Sequence, residues 1–546
     1  MTATQLPVQP PDAVRLMCDC AAHPDQPRSI QLLETHISWL FVTDHFVYKL
    51  KKPVRFDFVD FSTPELRHRA CLDEVRLNCR LAPDVYLGAL PITRTDRGEL
   101  ELAGRGEPVD WVVQMRRLPA ESALDCRMRD GQVSREDEMA VADRLAEFYA
   151  RLPAEAVSGE QYRGDLERHI RANAAVCTAN FSRYDRERVR RIFGQQLRYL
   201  HVAAPVLDER VSAGHVVDGH GDLRPEHIYV ESPPAVIDCV EFSPELRRVD
   251  VLDDLSFLAM ECDRLGHGQV GARITASCQA ARGDLVHPRL FDFYKSYRAL
   301  VRAKVMVLRA AQVSDVEQHS ITRQAHQYLD WAEYYADRLG PPALIVVGGL
   351  MGTGKSTLSA QIAGAIGANL VSTDRIRRTL FGASTSPAAY GQGTYLPISR
   401  ARVYDELFVR AAQALDKGLS VVLDGTFLSN GQRQHAAALS IQHGGTPLYL
   451  HCHCPRDVAL ARLAARTTAG GSDSDGRTDL FDLQAAEQEP PAGDLASVDV
   501  DTRLPIAEQV EQVFLGLSRQ MSSNEPQLAR GFPLPNVASH TTIWFT

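Results

Sequence analysis

Apolar and polar positions follow one rhythm up to about residue 339 and another beyond it. Early in the chain, Ile37 to Val42 and Phe46 to Leu50 are strand-like runs separated by Thr43-Asp44-His45, which predicts a β-hairpin. From Pro64 to Leu81, Leu66, Ala70, Leu77 and Leu81 recur at helical spacing and predict one helix with an apolar stripe. Asp110 to Met115 predicts a further strand, and Glu136 to Arg151, Leu166 to Ala175 and Arg183 to His201 predict helices. Two short apolar runs, Ile228 to Val230 and Ala235 to Ile237, precede helical patterns at Leu252 to Met260, Leu290 to Ala311 and Thr322 to Leu339. Strands first and helices after predict an α+β domain over residues 1–339. Gly340-Pro341-Pro342 then punctuates the chain. Beyond it, short buried-type runs (Ala343 to Val347, Asn369 to Val371, Leu419 to Leu423, Pro447 to His451) alternate with helical segments. That alternation predicts an α/β three-layer domain with a parallel sheet over residues 340–518. Residues 519–546 carry little periodicity and are expected to form a loose tail.

The second rhythm contains the most specific motif. Gly349-Leu350-Met351-Gly352-Thr353-Gly354-Lys355-Ser356 fits G-x-x-x-x-G-K-[ST], with a predicted strand before it and a helix from Thr357 after it. Gly349, Gly352, Thr353 and Gly354 would bring backbone N–H groups onto phosphate oxygens, helped by the helix start at Ser356 and Thr357. Lys355 would reach the β/γ-phosphates and Ser356 would hold Mg²⁺, so ATP with Mg²⁺ is the expected cofactor. Asp424 ends the strand expected beside this loop and is the candidate for a second Mg²⁺ contact. Arg462 and Arg466 lie four apart on a predicted helix, before the Gly-, Ser- and Asp-rich segment Thr467 to Asp479 with Arg477, which suits a closing lid. Asp374-Arg375-Ile376-Arg377 follows the strand Asn369 to Val371. This arrangement resembles P-loop kinases such as polynucleotide kinases and zeta-toxin-type kinases. The resemblance implies that Asp374 meets the acceptor hydroxyl, with Arg377 orienting an anionic substrate. A plain helix N-cap is the competing role for Asp374.

In the first part, Glu74 sits on a core-facing stripe and requires a cation, for which Lys49 and Lys51 are the candidates; a solvated Lys51-Lys52 run is the competing reading. His220-Gly221-Asp222-Leu223-Arg224-Pro225-Glu226-His227 and Val236-Ile237-Asp238 resemble the catalytic and metal-binding loops of the aminoglycoside phosphotransferase and choline kinase superfamily. The resemblance implies a protein-kinase-like fold, Asp222 as the base for an acceptor hydroxyl, Asp238 as a Mg²⁺ ligand, and Lys49 with Glu74 on the nucleotide phosphates. Two departures stand out: His227 replaces the amide ligand expected for the second metal, and no glycine-rich loop lies in the first hairpin. Arg247 and Arg248 are expected at a cleft or on a solvated surface, and Asp250, Asp253 and Asp254 as helix-start partners. Lys295, Arg298 and Arg302 are expected to face solvent or a neighbouring loop.

Composition narrows the function classes. A net charge of −9 argues against a protein that mainly wraps nucleic acid, leaving an oligonucleotide end as the one nucleic-acid acceptor in view. The absence of a long apolar run or a signal-like start predicts a soluble, cytoplasmic protein with no membrane partner. The 11 scattered cysteines suit reduced thiols, and His451-Cys452-His453-Cys454 alternates its donors to opposite strand faces, against a zinc site. The whole resembles bacterial fusions of an aminoglycoside-phosphotransferase-like domain with a P-loop kinase domain. It implies an ATP- and Mg²⁺-dependent phosphotransferase acting on a small-molecule hydroxyl, with the P-loop part the surer catalyst. The alternative is a P-loop ATPase switch beside a non-catalytic kinase-like module.

Overall fold

The computed structural model describes residues 12–35, 37–56, 59–284, 288–313, 315–382, 396–469, 481–490 and 495–523. They pack as two compact units that are not contiguous in sequence. Residues 12–157 and 210–284 form the first, and 158–209 with 288–523 form the second.

The first unit is built on a six-stranded antiparallel sheet in the order Gln31–Glu34, Ser38–Val42, Phe46–Lys51, Glu107–Arg116, Tyr86–Arg94, Leu100–Leu102. The expected hairpin is present, with Val42 opposite Val47. Strand alternation divides the third strand: Tyr48 and Leu50 join a core with Phe41 and Val112, while Val47 packs on the opposite face with Val113 and Cys71. Lys49 and Lys51 share that second face by parity, and the helix Pro64–Asn78 lies on it. This helix starts at Thr63, whose hydroxyl accepts from Leu66 N. Its inward stripe departs from the leucine-based expectation. Leu66 and Ala70 are only half-buried, and the buried positions are Arg67, Cys71, Glu74, Leu77 and Asn78. Arg67 turns inward because its guanidinium forks onto Asp110, Nε to Oδ1 at 2.8 Å and Nη2 to Oδ2 at 2.9 Å. A paired cation thus holds a place that the pattern gives to an aliphatic residue. The helices Arg135–Arg151, Val251–Arg264 and Gly268–Arg282 enclose a second core in which Leu145, Leu255 and Ile274 meet Leu223, Ile228 and Val236. The segment carrying Asp222 and Asp238 is therefore anchored by its own apolar residues.

In the second unit, a five-stranded parallel sheet runs in the order Asn369–Ser372, Val421–Asp424, Ala343–Gly348, Thr446–His453, Ser497–Asp501. Every residue of the central strand is buried. Ala343, Ile345 and Val347 pack on one face with Leu358 and Ile362 of the P-loop helix and Val513 of the last helix. Leu344 and Val346 pack on the other with Ile376, Leu407 and Ala411. The last helix, Ile506–Ser523, extends past the expected end of the ordered part.

Four helices that precede residue 340 belong to this unit: Gly159–Asn180, Arg183–Val202, Pro288–Ala310 and Asp315–Ala336. Gln196 Nε2 donates to Ser296 Oγ at 2.8 Å, and Ser296 Oγ donates to the Ala332 carbonyl at 2.9 Å. The bundle also grips the parallel sheet. Arg171 donates to the carbonyls of Gly364 (2.9 Å) and Ala365 (3.2 Å) in the last turn of the P-loop helix, where a cation suits the helix dipole. Arg198, fully buried, donates to the carbonyls of Gly340 at 2.6 Å and Pro341. Lys295 and Arg298 are buried rather than solvent-facing, with the Lys295 ammonium 4.5 Å from the Phe291 ring centroid and 5.2 Å from that of Tyr335. Among the described residues, no helix is long and apolar enough to cross a membrane.

Candidate functional site

Two groups of side chains carry chemistry, one in each unit. In the second unit the strand Ala343–Gly348 runs into the loop and then into the helix Lys355–Ile366. Gly349, Gly352 and Gly354 have φ of 134°, 78° and 85°, a region closed to most side chains. The contacts are equally restrictive: a Cβ on Gly349 would meet the Cys452 carbonyl oxygen at 2.2 Å, and one on Gly352 the Ala459 carbonyl oxygen at 2.6 Å. Gly349 N donates to the Thr426 carbonyl at 3.0 Å, and Thr353 Oγ1 to that of Leu350 at 2.7 Å. Gln484 Oε1 accepts from Met351 N at 3.4 Å. Gly354 precedes the helix and supplies no side-chain cap, so the first-turn amides retain their affinity for an anion. Lys355 Nζ donates to the Leu350 carbonyl at 2.6 Å, and Ser356 and Thr357 lie exposed at the helix start.

Asp424 stands beside this loop because its strand pairs in parallel with the P-loop strand, Val347 opposite Asp424. Its carboxylate is buried, and burial pushes its pKa above the usual range; Lys355 and the hydroxyls of Ser356 and Ser372 pull it down without cancelling the rise. Asp374 adds to the rise by like-charge repulsion. Lys355, Ser356, Asp374 and Asp424 thus form one local group. Asp374 is the second residue of the helix Thr373–Phe381, and Ser372 holds the N-cap position, so capping does not account for Asp374. Its Oδ1 accepts from Arg377 Nη1 at 2.6 Å. Arg462 reaches the same loop, since a Cβ on Gly354 would lie 3.5 Å from its Nη1. It is held there by Thr502, through Oγ1 at 3.0 Å and the carbonyl at 2.9 Å. The side chain of Arg466, and the stretch 470–480 with Arg477, lie outside the described residues. In the strand Thr446–His453, Cys452 faces the core, where burial pushes its thiol up to about 12, while His451 pairs with Asp499 at 2.9 Å.

In the first unit the groups are side chains throughout. Glu74 is shared by two lysines, with Lys49 Nζ 2.8 Å from Oε1 and Lys51 Nζ 2.7 Å from Oε2. Lys49 also lies 3.2 Å from Asp238 Oδ1, and Lys51 2.6 Å from Glu241 Oε1. Lys51 is fully buried, which removes the solvated-run reading. Burial favours neutral lysines, but Glu74, Asp238 and Glu241 outweigh it, and the pKa of Lys49 is held well above its ordinary value. Glu74 is displaced downward, its burial outweighed by Lys49 and Lys51.

The segment around Asp222 is fixed by buried polar groups. His220 Nδ1 accepts from Asp222 N at 3.3 Å and its Nε2 donates to the Ile237 carbonyl at 3.0 Å, linking the two loops. Complete burial lowers the pKa of His220 to about 4. Asp254 accepts from His220 N at 2.7 Å, Gly221 N at 2.9 Å and Tyr149 Oη at 3.0 Å. It therefore holds the loop, whereas Asp250 is the N-cap of the helix Val251–Arg264. Arg247 is buried on Asp218 at 2.6 Å and the Val240 carbonyl at 2.8 Å. Asp238 has φ of 62°, and its N–H donates to Tyr86 Oη at 3.2 Å. Partial desolvation would raise its pKa, but Lys49 and Arg224 hold it well below the usual range.

One ligand atom each from Asp222, His227 and Asp238 lies within 4.8 Å of the other two. This donor set, two carboxylates and an imidazole, departs from the all-oxygen surroundings that Mg²⁺ takes.

Residues 344–491 match the family model described as AAA domain. An uncharacterized protein of Mycobacterium tuberculosis, Rv2004c, is 34% identical over 496 residues, covering 86% of this chain and 92% of the relative. A gluconokinase from Sinorhizobium meliloti overlaps at a TM-score of 0.26 and 24% identity, covering 34% of this chain and 98% of that one. A choline/ethanolamine kinase family protein from Mesorhizobium loti overlaps at a TM-score of 0.34 and 12% identity, covering 59% of this chain and 99% of that one.

Proposed function

This chain belongs to one family with Rv2004c of Mycobacterium tuberculosis, and from that premise we propose that it is an ATP- and Mg²⁺-dependent phosphotransferase acting on the hydroxyl of a small molecule. The observation that carries the reading is the uncapped helix start at Lys355, with Lys355, Ser356, Asp374 and Asp424 gathered in one local group. ATP with Mg²⁺ would supply the transferable phosphoryl group and positive charge to offset its oxygens. The residues then divide the work. The amides of Gly349, Gly352, Thr353 and Gly354 cradle the phosphates, and Lys355 moves from the Leu350 carbonyl onto them. Ser356 and Asp424 would hold Mg²⁺. Asp374 accepts the proton of the acceptor hydroxyl, while Arg377, hinged on Asp374, orients the acceptor. Arg462 adds positive charge beside the loop. Phosphotransfer in such a site is mainly positioning and charge stabilisation, which rigid glycine turns and buried carboxylates provide.

In the first unit, Lys49, Glu74, Asp222 and Asp238 would form a second phosphotransfer site. The Glu74-to-lysine pairs are the observation in its favour.

The test is phosphoryl transfer from labelled ATP over aminoglycosides, sugars, nucleosides and oligonucleotide ends, with wild type, Lys355→Ala and Asp222→Ala compared. The reading requires a labelled acceptor that disappears with Lys355→Ala. Loss of a different product with Asp222→Ala establishes the second site. ATP hydrolysis with no acceptor labelled replaces the reading by the ATPase switch.

A further inference from the structure

The first-unit cluster is chemically unlike a Mg²⁺ site. His227 is only 7% exposed, and its imidazole faces Asp222 and Asp238. Its Nδ1 lies 2.9 Å from the backbone oxygen of Asp222, which can only accept, so Nδ1 carries the proton and Nε2 the lone pair. A ring nitrogen donating to a backbone carbonyl while the other nitrogen faces inward is the outer-shell arrangement that orients metal-binding histidines. Nε2 lies 3.5 Å from Asp238 Oδ2, whereas Asp222 Oδ2 lies 3.8 Å from Nδ1. A neutral imidazole with two carboxylates offers a charge of −2 to a divalent cation. Imidazole suits Fe²⁺, Ni²⁺, Cu²⁺ and Zn²⁺ and is a poor ligand for Mg²⁺.

A resident cation now occupies part of this cluster. Arg224 Nη2 lies 2.9 Å from His227 Nε2 and 3.0 Å from Asp222 Oδ2, and Nη1 of the same guanidinium bonds Glu226. The lone pair a metal would use is therefore engaged by a group on a flexible side chain. Glu226 offers that guanidinium another carboxylate when it leaves Nε2.

We propose that Asp222, His227 and Asp238 form a binding site for a divalent transition-metal ion, selective against Mg²⁺ through His227 and gated by Arg224. The inference goes beyond the phosphotransferase reading and stands independently of it. It concerns which ion the first unit binds, with or without turnover.

The test uses full-length protein without nucleotide, carrying Ser356→Ala to remove the hydroxyl ligand of the other site, and Mn²⁺ as the probe. Pulsed electron paramagnetic resonance is expected to show a directly coordinated nitrogen on bound Mn²⁺, with millimolar Mg²⁺ failing to displace it. His227→Asn should abolish the nitrogen signal, weaken Mn²⁺ at least about tenfold and bring Mg²⁺ into competition. Arg224→Gln should tighten Mn²⁺ while keeping the nitrogen signal. The proposal is overturned if neither wild type nor Arg224→Gln shows a nitrogen signal that depends on His227, or if Mg²⁺ displaces Mn²⁺ from wild type at equal concentration. Because no ATP is present, either result leaves the labelled-acceptor test of the P-loop site untouched.

Discussion

Asp424 and Asp238 each follow a strand and each stand near a lysine, yet their surroundings move their acidity in opposite directions. Asp424 is held above the usual carboxylate range because burial outweighs Lys355 and two hydroxyls. Asp238, whose side chain is half-exposed, is held below it because Lys49 and Arg224 outweigh its partial desolvation. The difference follows from how each unit is built. In the P-loop unit, Lys355 and the hydroxyls of Ser356 and Ser372 do not offset the burial of Asp424, and Asp374 adds to its rise. In the first unit every recognition group is a side chain, and the chain's own cations neutralise its carboxylates in advance. An incomplete charge balance marks a site that depends on a ligand ion, and a completed one marks a site whose ion must displace a residue.

The largest effect that would sharpen this contrast is on turnover. Lys355→Ala is expected to lower phosphoryl transfer from labelled ATP roughly a thousandfold, with the thermal unfolding of the first unit unchanged. Next is Glu74→Ala, which removes the carboxylate shared by Lys49 and Lys51, leaves them with Asp238 and Glu241, and should cost the first unit about 3 kcal/mol in denaturant titration. A loss below about 1 kcal/mol would mean that solvent reaches the lysines and that the balance is not internal. Asp424→Asn separates function from stability. Its folded pKa lies above the unfolded value, so its favourable contribution is present below the unfolded pKa and lost as pH rises. At neutral pH the amide variant should therefore melt no lower than wild type, while turnover falls about a hundredfold. Asp238→Asn should do the reverse at neutral pH, lowering the first unit's melting temperature, because a depressed pKa contributes stability above the unfolded value. The smallest effect belongs to His220. Its pKa falls from 6.5 to about 4, so the stability it contributes is complete above pH 6.5 and drains away down to about pH 4. Melting of the first unit between pH 7 and 5 should be less steep in His220→Asn than in wild type.

The P-loop was legible because its chemistry needs contiguous residues: three glycines at positive φ, then a lysine and a hydroxyl on one helix start. Asp424 was legible as the end of an apolar run. Glu74 was visible as an anomaly, a carboxylate on an apolar stripe, and its two lysines as strand neighbours of one parity. The stripe itself was misread at Arg67, because no periodicity distinguishes a solvated arginine from one forked on a carboxylate 43 residues away. The strand Tyr86–Arg94 was missed because its register shifts at Gly88 and it contains Pro91, so alternation is broken. Asp254 looked like a helix-start residue because its three partners lie far from it in sequence. Helical periodicity also says that a face is buried without saying against what. Nothing in the pattern of Arg183–Val202 announces that Arg198 will end on the carbonyls of residues 340 and 341.

Among the described residues the chain passes between its two compact units three times, after residues 157, 209 and 284. A gene fragment beginning at residue 340 would therefore encode the parallel sheet without the four helices that complete it. Such a piece would bare the end of the P-loop helix, where Gly367 lies against Phe193 and Arg171 holds the carbonyls. No single crossover can transplant either unit intact, so exchange of one half for another, the ordinary route by which fused enzymes acquire partners, would leave both products unfinished.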